Sequence, residues 1–194
     1  MADRLTAVSR PYAWPWHGHF APAQTALLVI RDGEMAPPRG ATESLLASVA
    51  RLAAGAGLTI GELPDTGGEP ILANFAPDFV VRRPHYGGFS GTDLDSILRK
   101  RRITDLIIAG FPFELGADCT MRQANDLGYE CLALTDCCTG LAADTLAGAM
   151  SSMQMSGGIF GAVAESAAVL ELFATSHNIQ GVASPAAHQA GVRA

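Results

Sequence analysis

The sequence is poor in charge, in aromatic residues and in cysteine. Charged residues fill 16% and aromatic residues 7% of its 194 positions, and four are cysteine. There is no basic excess: 13 Lys plus Arg face 19 Asp plus Glu, a formal charge of -6, which argues against a nucleic-acid partner. No stretch reaches the roughly 18 uninterrupted apolar residues of a membrane span, so no membrane association is expected. The opening MADRLTAVSRPYAWPWHGHF lacks the apolar core of a signal peptide. Cys119, Cys131, Cys137 and Cys138 have no metal-ligand spacing, and vicinal Cys137 and Cys138 reach disulfide torsions with difficulty. Reduced thiols in a cytoplasmic protein are the expectation.

What is present is a 48% hydrophobic chain, rich in alanine and punctuated by 21 Gly and 11 Pro, of a length suited to one domain. Residues 1–23 carry three prolines, two tryptophans and two histidines without periodicity, and read as an arm lying across a surface. From there to residue 175 strand and helix patterns alternate, and 176–194 reads as a tail. TALLVI (25–30) and DLIIAGF (105–111) are continuous apolar runs, the pattern of strands covered on both faces. Shorter strands are expected at 58–63, 78–83, 129–135 and 158–163. Helices are expected at 43–56, after a Thr92 cap, at 116–127, at 142–155 and at 165–174.

That alternation implies an α/β fold, and ligands in such sheets gather beyond the carboxyl ends of the strands, where strand order reverses. Function is therefore to be sought after Ile30, Val81 and Gly110.

The segments TMRQANDLGYECLALTDCCTG, MQMSGGIFGAVAESA, RPHYGGFSGTDLD and RPYAWPW resemble the isochorismatase-like hydrolases, or cysteine hydrolase superfamily, from about Pro11 to Phe173. The branch they look like hydrolyses biuret, ureidoacrylate and similar small ureides. The resemblance implies a three-layer αβα sandwich around a mostly parallel, doubly wound six-stranded sheet. It also implies an Asp-Lys-Cys triad, and here the sequence departs from the pattern. The general-base Asp of relatives follows a segment like LLVI; here Arg31 follows it, and Asp32 is one residue late. The triad Lys position holds Arg83, and the nucleophile position holds Gly116. Cys119 lies nearly a helical turn further on and reads as a small core residue. Relatives carry a cis peptide just upstream of their Cys, so a cis Phe111-Pro112 bond is expected.

Without a thiol at Gly116, a thioester route has no nucleophile. Arg31, Arg83 and the backbone N–H groups near Gly116 and Ala117 would favour a small anion, with Pro112, Tyr86 and Phe89 lining the site. Equally, Arg31 could be neutralised internally by Asp32, Glu34 or Glu114, and Tyr86 and Phe89 could be core. Three functions follow: a non-hydrolytic homologue or subunit binding a small anionic molecule; an enzyme using Asp32 on a small carboxylate, vinyl ether or ureide; or hydrolysis through Cys119, which the spacing disfavours. No cofactor is expected. The metal site of some relatives needs histidines that the segment between the second and third strands lacks, and His17 and His19 read as solvated. The resemblance further implies a homo-oligomer, dimer or tetramer, and a non-hydrolytic subunit could also assemble with an intact homologous subunit.

Overall fold

The computed structural model describes residues 5–33, 40–67, 72 and 75–182. Six strands form one sheet: β1 (Thr25–Arg31), β2 (Thr59–Pro64), β3 (Phe79–Val80), β4 (Asp105–Phe111), β5 (Glu130–Leu134) and β6 (Ala162–Ala164). Every pairing is parallel, in the order β3-β2-β1-β4-β5-β6. The helices are α1 (Ala41–Gly55), α2 (Leu94–Lys100), α3 (Asp118–Asp126), α4 (Ala143–Met153), α5 (Met155–Gly158), a single distorted turn, and α6 (Ser166–Val182). Among them, α1 and α6 pack together, and the right-handed rule for crossovers between parallel strands assigns α2 and α3 to the opposite face from α1. This is the doubly wound αβα sandwich, with β1 and β4 at the point where strand order reverses.

The central strands read as continuous apolar runs because both of their faces are covered: every residue of β4 is buried, as is β1 up to Ile30. α1 ends where Gly57 takes φ +89, which lets the Leu58 N–H bond the Ala53 carbonyl and the Gly57 N–H the Ala54 carbonyl. α3 stops the same way at Gly128, φ +84.

Three expected elements differ. β3 is two residues rather than six because it is an edge; Asp78, ahead of it, instead takes the Ile60 N–H onto its side chain at 2.7 Å. β6 begins at Ala162, not at 158, because Gly157, Gly158 and Gly161 all adopt positive φ and hold Ile159 and Phe160 in a turn. α6 runs through the expected boundary at 175 to Val182, since no proline interrupts it before Pro185; residues 183–194 of the expected tail lie outside the described residues. Its first turn is held by Asp136, whose carboxylate accepts from the Ser166 N–H at 2.8 Å and hydroxyl at 2.6 Å.

The arm is part of the core rather than a cover. Trp14 is fully buried, its ring 6.2 Å from that of Phe20, which in turn lies 5.9 Å from Phe173. Trp16, by contrast, is exposed. Arg10 exchanges backbone hydrogen bonds with Val163, so the arm closes the free edge of β6. The peptide bonds Arg10-Pro11, Trp14-Pro15 and Phe111-Pro112 are cis.

Candidate functional site

Asp32, Arg83 and Gly116 meet beyond the carboxyl ends of β1 and β4. Asp32 is the first residue after β1, and its N–H still bonds the Phe111 carbonyl of β4 at 3.0 Å. Arg83 is placed by the continuing ladder beyond β3, where its N–H bonds the Pro64 carbonyl at 3.0 Å. Gly116 lies in a wide helical turn, Phe113–Ala117, that follows β4 after Pro112 and leads into α3.

The Asp32 carboxylate bridges the other two. Its Oδ1 accepts from Arg83 Nη2 at 2.8 Å, and its Oδ2 accepts from the Gly116 N–H at 2.8 Å. Both charged residues are buried, Arg83 to 1% exposure and Asp32 to 6%. A guanidinium offers five N–H donors, and each has an acceptor here. Nε donates to the Leu63 carbonyl at 2.9 Å, Nη1 to His85 at 3.2 Å and to Tyr86, and Nη2 to Arg31 at 3.0 Å and to Asp32.

Two expectations are corrected by this geometry. Asp32, not Arg31, faces Gly116: strict alternation of sides holds within a strand, and Asp32 has already left β1. Arg31 contributes its backbone carbonyl to Arg83. And Arg83, expected to grip an external anion, spends every donor on the protein itself.

Gly116 is required by the same contact. A Cβ built there would stand 2.7 Å from Asp32 Oδ2, 2.8 Å from Arg83 Nη1 and 2.8 Å from Ile30 Cγ2, closer than side chains tolerate. The volume a cysteine would use is taken by the ion pair. Beneath it, Ala117 packs so closely on Gly110 that a Cβ at Gly110 would come within 2.2 Å of it.

The other expected residues are divided. Pro112 is buried at the start of the turn, and Ala117 is fully buried. Tyr86 keeps its side chain exposed and gives only its carbonyl to Arg83. Phe89 is drawn away: its ring lies 5.6 Å from that of Tyr129, which precedes β5 at the opposite end of the sheet. Glu34, considered as a partner for Arg31, lies outside the described residues. Glu114 accepts instead from the Leu141 N–H at 3.0 Å and the Thr145 hydroxyl at 2.7 Å.

Cys119 has a thiol pushed up from its ordinary range, first by burial and then by the negative charges of Asp118 and Asp32. That is the reverse of what activates a nucleophilic cysteine. Thr120 was not legible as a site residue, yet its hydroxyl donates to the Gly116 carbonyl at 2.6 Å and accepts from the Gly88 N–H at 2.8 Å, tying the Gly87-Gly88 loop to the site. The signal in the sequence was its position four residues after Gly116, the reach of a hydroxyl back to a helical carbonyl. Among the described residues no three His, Cys, Asp or Glu side chains converge in a way that could hold a metal ion, and no helix is long and apolar enough to cross a membrane.

The Isochorismatase domain family matches residues 62–167, more than half of the chain, a span that includes Arg83 and Gly116 but not Asp32. The isochorismatase family protein YwoC of Bacillus subtilis is 36% identical over 78 residues, 39% of this chain and 41% of its own length. The ureidoacrylate amidohydrolase RutB of Acinetobacter baylyi is 39% identical over 61 residues, 31% of this chain and 25% of its own. The chain thus spans less than half the length of these curated relatives. Among solved structures, a cysteine hydrolase from Pseudomonas syringae superposes with a TM-score of 0.72 at 20% identity, covering 91% of this chain and 100% of that one. The nicotinamidase of Staphylococcus aureus gives 0.62 at 18% identity, covering 74% and 99%. At such identities the likeness is one of fold.

Proposed function

Since this chain belongs to the isochorismatase family, we propose that it is a member without cysteine-dependent hydrolysis, a pseudoenzyme whose site is filled from within. The observation that carries the reading is the position of the Asp32 carboxylate between the Arg83 guanidinium and the Gly116 N–H. Acyl transfer needs a nucleophile between the base and the cation, and glycine supplies none. Cys119 does not replace it, because its thiol is held toward the protonated form.

In this reading the cationic cradle is selective for a carboxylate, and the chain supplies one in cis. A small external anion is held by Arg83 only where Asp32 gives way. The protein then serves as a structural or binding subunit, in a homo-oligomer or beside an intact homologue. A second reading, acid-base chemistry at Asp32 on a small carboxylate, vinyl ether or ureide, is favoured by one observation: the Asp32 carboxylate faces Arg83 and Gly116, the residues at the positions the resemblance gives to the triad's cation and nucleophile.

The resemblance and the relatives' names together set the test. The purified protein is assayed against isochorismate, biuret, ureidoacrylate and nicotinamide, alone and as Asp32→Asn and Cys119→Ala. Absence of turnover is the expected result. Turnover lost in Asp32→Asn would establish the acid-base reading, and turnover lost in Cys119→Ala would overturn both.

A further inference from the structure

At the amino-terminal end of the sheet, opposite the Asp32 site, a second cluster of titratable groups joins the arm to the strands. Asp105 opens β4 and Glu130 opens β5, and the two are register partners across the ladder. The arm lies over both. His17 Nε2 is 3.2 Å from Asp105 Oδ1, and Glu130 Oε1 accepts from the Tyr12 hydroxyl at 2.7 Å and the Trp16 N–H at 3.3 Å. Asp105 is 1% exposed, and its Oδ2 has no hydrogen-bond partner. Two neighbouring carboxylates have therefore been desolvated, one with a buried lone oxygen, under a segment that brings an imidazole to them.

We propose that the N-terminal arm is a proton-operated clasp, seated on the Asp105–Glu130 pair while the cluster carries an added proton and loosened when that proton leaves. Three features support the device. The carboxylates repel each other, and His17 is the arm's side chain placed against Asp105. His17 is half-exposed while Asp105 is buried, so a proton can enter from solvent through the imidazole.

The pair is faced by groups of the arm and of both strands. Burial raises the Asp105 carboxyl, opposed by His17, Thr104 and His19. Burial also raises the Glu130 carboxyl, reinforced by Asp105 and opposed by Tyr12, the Trp16 N–H and His17. Within β5, the Cys131 thiol is raised first by burial and then by both carboxylates. The geometry gives the sign: covering two register-paired carboxylates, one with a buried lone oxygen, costs least while the cluster holds a proton, so docking weakens as pH rises and that proton leaves. Release uncovers the edge of β6, where Arg10 now bonds Val163, together with the apolar seat of Trp14 and Phe20. An uncovered edge is a template for pairing with another chain.

The experiment is hydrogen exchange with mass spectrometry on the full chain across the range from mild acid to mild alkali, corrected for intrinsic exchange. The reporters are the amides of Ala7, Arg10 and Phe20, which bond Trp14, Val163 and Leu5. Their protection relative to β4 should fall with rising pH, by up to about tenfold per pH unit where one proton is lost. Asp105→Asn keeps an acceptor for His17 and should flatten the dependence; His17→Gln, on the half-exposed arm, should do the same if the buried variant folds poorly. Arm protection that is independent of pH in the unaltered protein, or an equal slope in a folded variant, would overturn the proposal.

Discussion

The Asp32 carboxylate and the Gly116 N–H, 84 residues apart in the chain, are joined by a hydrogen bond of 2.8 Å. With Arg83 on the other oxygen, the contact turns the crevice at the strand-order reversal into a closed network. Each partner explains another: the guanidinium needs an anion, the anion needs the bare N–H, and the N–H is reachable because residue 116 has no side chain.

Gly116→Cys should not create a hydrolase. The new Cβ would meet Asp32, Arg83 and Ile30 at under 3 Å, and overpacking of a buried site costs about 1 to 3 kcal/mol. Denaturant unfolding should register that loss, and an ammonia-release assay on ureide substrates should stay at background. Stability equal to that of the unaltered protein would contradict the packing described.

Arg83→Lys, nominally conservative, should be strongly destabilising. An ammonium has three donors where the guanidinium satisfies five acceptors, and the carbonyls of Leu63, Arg31, His85 and Tyr86 cannot all be reached from one point. Buried acceptors left without partners cost about 1 to 3 kcal/mol each. Thermal and urea unfolding are the checks; an unchanged melting temperature would count against the network.

Cys119 should alkylate more slowly than an unhindered thiol. Its pKa is raised by burial and by Asp118 and Asp32, so at neutral pH it holds less thiolate than a free cysteine. Iodoacetamide labelling followed by mass spectrometry should show a rate that is low at neutrality and climbs with pH beyond the usual thiol range. Rapid labelling at neutral pH would contradict this.

The Asp105 and Glu130 carboxyls should imprint on global stability. Their folded pKa values lie above ordinary ones because of burial. Between about pH 4, where exposed carboxyls titrate, and those raised values, the native state binds the extra protons, so stability falls as pH rises across that window. Asp105→Asn should have a flatter melting temperature against pH, measured by scanning calorimetry.

The sheet was legible where physics is local. β1 and β4 carry unbroken apolar runs at 26–30 and 106–111, and β4 falls at the expected 105–111. β3 and β6 were less so: the end of an edge strand depends on Asp78 and on glycine torsions around 157–161, which residue patterns do not reveal. Within the site, the replacements at Arg83 and Gly116 could be read from flanking residues. The exchange of Arg31 for Asp32 could not, because it turns on where β1 stops. The docking of His17 on Asp105 was equally invisible, since the arm has no periodicity and its partner lies 88 residues away.

The most direct measurement is the thermal stability of Asp32→Ala with and without millimolar formate or acetate. Removing one partner of a buried pair costs about 3 to 5 kcal/mol, and a small carboxylate that replaces Asp32 between Arg83 and Gly116 should recover part of the lost melting temperature, leaving the unaltered protein unaffected. A variant as stable as the original, or an original stabilised by formate as much as the variant is, would show that Asp32 does not fill the site.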